Sequence, residues 1–189
     1  MPPARFFTFV GGSGGAWRVV SIDSVTGDSL AKVPTVSIVD RYVDALAPGD
    51  AWILRGVTSN ERYVTRHEHD LLAAIQQGIG RPEATCAALI PIRKSKRWWN
   101  MAQDERRAVL EEESKHIETG LRYLPAVARR LHHCRDLGEP FDFLTWFEYA
   151  PADAGAFEEL VRILRRSREW LYVDREVDIR LVRAEVANP

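Results

Sequence analysis

Residues 126–135, AVARRLHHCR, decide which fold the rest of the chain can adopt. A proline directly before the segment and a glycine shortly after it are typical of a short helix. Strand alternation would instead place Val127, Arg129 and Leu131 on one face, with the arginine among apolar neighbours. If the segment is a strand, the chain from residue 84 onward has the element order β-α-β-β-α-β of a ferredoxin-like unit.

The segments around it supply the other elements of that unit. Aromatic and β-branched runs indicate strands, and an aspartate before an apolar 3.6-residue pattern indicates the start of a helix. We predict strands over residues 84–92, 141–149 and 173–182, and helices over residues 103–118 and after Asp153. Side by side with a second such unit, it would form one large antiparallel sheet with helices on one face and a cavity on the other.

The first third of the chain predicts an incomplete second unit. We expect strands over residues 5–10, 17–22, 35–39 and 51–58, and a helix over residues 66–77 after a capping-box pattern. The glycine run at residues 11–15 predicts a hairpin loop, because no Gly-Lys-Ser/Thr follows it to form a phosphate loop. The fold class is therefore α+β, with one domain over residues 1–189, a truncated N-terminal ferredoxin-like half at 1–80 and a C-terminal half at 81–189.

The composition is that of an ordinary globular protein. The chain has 189 residues, 46% hydrophobic and 28% charged, and a net charge of −1, which gives no overall attraction to nucleic acid or anionic membranes. Cys86 and Cys134 are too few for a disulfide framework and favour a reducing compartment. No apolar run approaches membrane-spanning length, so we expect cytoplasmic residence and no membrane partner.

A short basic-aromatic cluster occupies residues 93–99, RKSKRWW. Basic residues interleaved with aromatic rings are used to bind single-stranded nucleic acid. Because the cluster is isolated in a neutral chain, a grip on ligand carboxylates or a solvated turn is favoured over nucleic acid.

His116 lies on the less polar side of the predicted helix, together with Ala102 and Val109. Arg106 and Glu113 fall on the same side, so that side is not purely apolar. By position alone, a core histidine with one hydrogen bond is the favoured interpretation. A zinc site is a further alternative, from the histidines and cysteine at His67, His69, His132, His133 and Cys134, but these lack the spacing of known zinc motifs.

Four separated segments resemble the chlorite dismutase family, heme b proteins of the dimeric α+β-barrel group. They are RGVTSNERYVTR (55–66), GRPEATCAALIPIRKSKRWWNM (80–101), ESKHIETGLRYLPAVARRLHHCRDLGEPFDFLTWFEYAP (113–151) and REWLYVDREVDIRL (168–181). The short chain is similar to the compact, dimeric branch of that family. The resemblance implies a homodimer, with heme bound by the C-terminal half and one iron per chain.

The resemblance also assigns two principal site residues. His116 matches the family's proximal ligand of the heme iron, and Arg129 matches its distal arginine, with Arg130 as the alternative one residue away. The related coproheme decarboxylases carry glutamine at the distal place and use a tyrosine. Here arginine is present and no tyrosine occurs between Tyr63 and Tyr123, which favours chlorite chemistry.

Five further residues match supporting positions of the family. Glu169 matches a glutamate that bonds the proximal histidine, and Lys94 a lysine associated with that carboxylate. Trp98 matches a ring of the pocket wall, Gln76 resembles a distal glutamine, and Tyr63 is placed near a heme propionate. The implied activity is the conversion of chlorite to chloride and O2, with chlorite and other small anions as ligands. A heme-binding or carrier protein, and a coproheme decarboxylase or peroxidase-like enzyme, are the alternatives.

Overall fold

The computed structural model describes residues 6–58, 65–67, 70 and 78–184. The described strands are β1 (Phe6–Gly12), β2 (Trp17–Thr26), β3 (Thr35–Val39), β4 (Trp52–Thr58), β5 (Cys86–Lys94), β6 (Val127–His133), β7 (Phe143–Tyr149) and β8 (Val173–Arg183). The described α-helices are α1 (Lys96–Asn100), α2 (Gln103–Arg107), α3 (His116–Arg122) and α4 (Ala154–Arg165). A π-helix covers Ala108–Glu113, and 3-10 turns cover Arg135–Leu137, Pro151–Asp153 and Arg168–Tyr172.

The strands form one closed barrel in the order β1-β3-β2-β8-β5-β7-β6-β4. Each pairing is antiparallel, so the predicted α+β fold with an antiparallel sheet is confirmed. The sheet is closed, because β2–β8 and β4–β6 hydrogen bonds join its N-terminal and C-terminal strands into a barrel. Aromatic and aliphatic side chains, including Phe9, Trp17 and Trp146, pack the inner face.

The strand interpretation of residues 126–135 is confirmed by β6. This strand pairs with β7 along its whole length and with the end of β4. Successive side chains of a strand point to opposite faces. Val127 accordingly belongs to an apolar cluster with Phe157 and Leu160 of α4, while His132 lies against Phe9 inside the barrel. The helices therefore pack on the outer face of the barrel.

The predicted hairpin between the first two strands is wrong. β1 and β2 do not pair with each other, because β3 lies between them and pairs with both. Gly11 and Gly12 belong to β1 rather than to a loop. A Cβ at Gly11 would lie 2.1 Å from the Trp52 ring, so this glycine serves close packing of an indole on the backbone.

The single helix predicted over residues 103–118 is also wrong in detail. α2 passes into the π-helix, and Lys115 then adopts a left-handed conformation with φ 53°. The Glu111 carboxylate accepts the first free backbone N–H groups of α3, from Ile117 at 2.7 Å and Glu118 at 3.2 Å. The helix therefore restarts at His116, which side-chain periodicity cannot reveal.

The remaining helix predictions differ in outcome. α4 begins at Ala154, next to the predicted cap Asp153, and buries Phe157, Leu160, Val161 and Leu164. Of the helix predicted over residues 66–77, Arg66, His67 and Asp70 are helical, and the other positions lie outside the described residues. No described helix is long and apolar enough to cross a membrane.

Candidate functional site

His116, the first residue of α3, is paired with a buried carboxylate. Its Nδ1 lies 2.6 Å from Oε2 of Glu169. Since an ionised carboxylate only accepts hydrogen bonds, Nδ1 carries a proton, and in the neutral imidazole the lone pair is then on Nε2. The His116 side chain is 28% exposed, and Nε2 has no hydrogen-bond partner among the described residues. The imidazole therefore presents an oriented nitrogen at the outer side of the barrel, and no described residue hydrogen-bonds to it.

Glu169 connects three parts of the chain. It lies on the 3-10 turn Arg168–Tyr172, and its Oε1 accepts a hydrogen bond from Nζ of Lys94 at 2.7 Å. Its backbone N–H donates to Oγ of Ser114, at 2.9 Å, just before α3. Burial alone would raise the pKa of Glu169, but the charges and hydrogen bonds of Lys94 and His116 lower that pKa to about 2. The carboxylate is therefore ionised at neutral pH.

Lys94, at the end of β5, is held between two indole rings. Its Nζ lies 4.6 Å from the ring centroid of Trp98 on α1 and 5.3 Å from that of Trp170. The Lys94 side chain is 3% exposed, so its charge is neutralised inside the protein rather than offered to solvent. Trp98 is buried too, and Trp99 donates from Nε1 to Oδ2 of Asp142 at 3.0 Å. Lys94 and Trp98 of the basic-aromatic cluster are therefore buried and in contact with other side chains of the protein.

Arg129 and Arg130 point to opposite faces of β6. The Arg129 guanidinium lies against α3, because a Cβ at Gly120 would be 1.6 Å from its Nη1. Cζ of Arg130 lies 4.9 Å from the ring centroid of Phe7. Burial lowers the pKa of Arg129 to about 10, with the Glu111 carboxylate opposing this effect. Of the two arginines, Arg129 is the one beside the helix that carries His116.

The predicted site residues fall into three groups. His116, Glu169, Lys94 and Trp98 form one connected cluster, and Arg129 lies next to α3 on the same side of the barrel. Tyr63 and Gln76 lie outside the described residues.

Sequence reasoning missed Ser114, Asp142 and Trp170, which hold Glu169, the Lys94 backbone N–H and the Lys94 side chain respectively. Of these three residues, only Trp170 could have been suspected from the sequence, because it directly follows Glu169.

The zinc interpretation is wrong for the part of the chain that the structure describes. His132 is inside the barrel, where its Nδ1 donates to the Leu144 carbonyl at 3.1 Å. His133 lies on the other face, with its ring centroid 5.1 Å from that of Phe143. Among the described residues there is no group of three or more histidine, cysteine or acidic side chains that could hold a metal ion.

Fold and site together define a class: an antiparallel α+β barrel that carries one carboxylate-paired histidine on a helix outside it. A family model described as chlorite dismutase matches residues 46–184. The chain belongs to the chlorite dismutase family.

Solved structures support this assignment. The crystal structure of dimeric chlorite dismutases from Nitrobacter winogradskyi is 56% identical, with a TM-score of 0.86, and the match covers 94% of this chain and 99% of that one. A chlorite dismutase from Candidatus Nitrospira defluvii, in complex with imidazole, is 18% identical with a TM-score of 0.64 and covers 95% of this chain and 91% of that one. At that identity, the second match shows the shared fold alone.

A curated chlorite dismutase from Ideonella dechloratans is 36% identical over 86 residues. The matched segment covers 46% of this chain and 28% of that protein. The match therefore spans less than a third of the curated relative.

Proposed function

We propose that this protein is a heme b-dependent chlorite dismutase, which converts chlorite to chloride and O2. The observation that carries the proposal is the His116–Glu169–Lys94 network, with Arg129 beside the same helix. The dimeric relative at 56% identity supports the substrate and the activity. Small anions are the proposed ligand class, because the Arg129 guanidinium beside α3 carries a positive charge and several N–H donors.

The donor set at His116 fits a heme iron. A porphyrin supplies four nitrogens to its iron, so one further ligand from the protein would be enough to hold it, and a single histidine is a common choice. The described residues hold no multidentate metal cluster, whereas His116 has its Nδ1 proton bound and its Nε2 unpaired. Bound heme would supply the redox chemistry that converts chlorite to chloride and O2.

The residues around His116 orient it and set its basicity. A carboxylate that accepts the Nδ1 proton fixes the tautomer and increases the electron density of the ring. Lys94 keeps Glu169 ionised in a buried place, and Trp98 covers the Lys94 charge. Through these contacts Glu169, Lys94 and Trp98 would maintain His116 as a strongly donating ligand.

Arg129 would hold the anion. Its charge is partly desolvated, so its attraction for a small anion is stronger than that of an arginine in bulk water. A guanidinium can retain a chlorine oxyanion in the site until O2 has formed, which protects the protein from an escaping oxidant. Gln76 is proposed to restrain Arg129, and Tyr63 to lie near a heme propionate.

The proposal includes three further expectations, on the oligomeric state, the two halves of the domain and the location of the protein. The dimeric relative supports a homodimer. The strand orders β4-β1-β3-β2 and β8-β5-β7-β6 support two ferredoxin-like halves in one domain, at residues 1–80 and 81–189, with the first half truncated. Cys86 and Cys134 are unpaired, which supports a reducing, cytoplasmic environment.

The test is hemin loading followed by chlorite addition at an oxygen electrode. The loaded wild-type protein should show a Soret band and release O2. Arg129→Gln should retain hemin but release less O2 or inactivate sooner, whereas Arg130→Gln is the matched control, because that side chain points into the barrel. Equal O2 yields and lifetimes in the two variants would remove the role of Arg129. Hemin uptake without O2 would support a carrier, decarboxylase or peroxidase-like protein instead.

A further inference from the structure

Trp170 faces both groups that hydrogen-bond to Glu169. Its ring centroid lies 6.4 Å from that of His116, with the two planes inclined by 17°. The Nζ of Lys94 lies 5.3 Å from the same indole centroid. The indole therefore lies near both the imidazole and the Lys94 end of the Lys94–Glu169 ion pair.

The orientation of this indole is set from behind by a second buried carboxylate. Nε1 of Trp170 donates to Oε2 of Glu176 at 2.7 Å, and Glu176 is 0% exposed. The other oxygen of Glu176 accepts a hydrogen bond from Nε of Arg165 at 2.8 Å. Arg165 also binds Asp178, at 2.8 Å, so the support joins α4 to β8.

This support resists rotation of the indole. Turning the ring away would leave one oxygen of the buried Glu176 carboxylate without its donor, which is energetically unfavourable. The hydrogen bond that orients His116, in contrast, comes from one ring nitrogen and leaves the imidazole free to rock about the Nδ1–Oε2 axis. The Trp170 ring, which is inclined by 17° to the imidazole, limits that freedom.

We infer that Trp170, held by Glu176, is a positioning residue that sets the plane of the His116 ring and excludes water from the Lys94–Glu169 ion pair. The Lys94 and Glu169 side chains are 3% and 5% exposed, and the indole covers the Lys94 end. Dry surroundings strengthen the hydrogen bond from His116 to Glu169, because the attraction of charged and polar groups grows as the effective dielectric falls.

The inference predicts an effect on His116 in the heme-free protein. In wild type, 15N NMR should show one tautomer, with the proton on Nδ1. In Trp170→Leu the two ring nitrogens should move toward each other in chemical shift, because the ring samples other orientations and water reaches Glu169. Trp170→Phe, which keeps an aromatic volume but loses the bond to Glu176, should give a smaller shift in the same direction.

A matched control exists inside the barrel. Nε1 of Trp146 donates to Oε1 of the buried Glu148 at 2.9 Å, so Trp146→Phe deletes the same kind of bond away from His116. That variant should leave the His116 nitrogen shifts unchanged. Wild-type shifts in folded Trp170→Leu and Trp170→Phe, or an equal change in Trp146→Phe, would overturn the inference.

A second readout rests on the proposed function. In hemin-loaded, reduced protein, the iron–histidine stretching band should move to lower frequency in Trp170→Leu and in Glu176→Gln, and stay in place in Trp146→Phe. An unchanged band in the first two variants would contradict the positioning role. Absence of the band from the wild-type protein would instead contradict the heme proposal, and the heme-free NMR comparison would still decide the role of Trp170.

Discussion

Glu169→Gln should destabilise the protein, because it removes a buried, ionised carboxylate. Glutamine keeps the size of the side chain and mimics a protonated Glu169. The lowering of the pKa from 4.5 to about 2 corresponds to roughly 3 kcal/mol of stability at neutral pH. Lys94 also loses its partner in a place where it is 3% exposed, and breaking a buried ion pair costs about 3–5 kcal/mol. We expect the variant to be less stable by about 3–5 kcal/mol at pH 7.

The difference in stability between wild type and Glu169→Gln should depend on pH. Because the folded-state pKa is lowered, the contribution of Glu169 is complete above about pH 4.5 and is lost as the pH falls toward 2. Linkage reduces it from about 3 kcal/mol at pH 7 to about 1 kcal/mol at pH 3. Urea unfolding of wild type and variant, followed by tryptophan fluorescence, should therefore show a stability gap that narrows by about 2 kcal/mol over that range.

Two results would refute this reasoning. A gap below about 1 kcal/mol at pH 7 would mean that the ion pair contributes little to folding. A gap that stays constant down to pH 3 would mean that Glu169 is not the group that titrates. Glu139→Gln is a useful control, since it removes the ion pair of Arg55 and Glu139, 2.8 Å long, away from His116. It should leave the hemin spectrum of the loaded protein unchanged.

Three other changes follow from single contacts. Gly120→Ala should keep or raise the melting temperature, because alanine favours a helix by up to about 1 kcal/mol relative to glycine. The added methyl group must displace the Arg129 guanidinium, so O2 release from chlorite should fall. Unaltered turnover would argue against this placement of Arg129. Glu111→Gln should cost about 1 kcal/mol in thermal unfolding, because it weakens the cap of α3; no loss would show that the cap is unimportant. Burial lowers the pKa of His132 from 6.5 to about 4, so the wild-type protein should lose stability as the pH falls from 6.5 to 4. His132→Leu should lose up to about 3 kcal/mol less over the same pH range. Urea unfolding midpoints that fall equally with pH in both proteins would refute this.

Local alternation in the sequence carried the information for β6. The parity of a strand separates Arg129 from Arg130, and the structure places them on opposite faces as that parity requires. The closure of the barrel could not be predicted from the sequence, because it depends on which distant strands pair with each other. One such pair is β2 and β8. The prediction of a loop at residues 11–12 failed for a related reason, because the Trp52 ring that packs on Gly11 comes from another strand.

The break before His116 had a cause that hydrophobic periodicity does not record. The free N–H groups of α3 are satisfied by Glu111, so the chain can stop one helix and begin another without a glycine or a proline. Gly120, two residues beyond the predicted end of the helix, lies inside α3 and makes room for Arg129.

The candidate site depended on contacts between residues far apart in the chain. Lys94 and Glu169 are 75 positions apart, and no spacing rule connects them. Resemblance to the family supplied that pair, and the structure supplies its geometry. The roles of Ser114 and Trp170 needed coordinates, because a serine before a helix and a tryptophan beside a glutamate have many ordinary explanations.

The assignment of His116 as the iron ligand is tested most directly by resonance Raman spectroscopy of the reduced, hemin-loaded protein. Wild type should show an iron–histidine stretching band, and His116→Ala should lack it and retain hemin less well. The same band in His116→Ala would contradict the assignment, because another residue would then be the ligand.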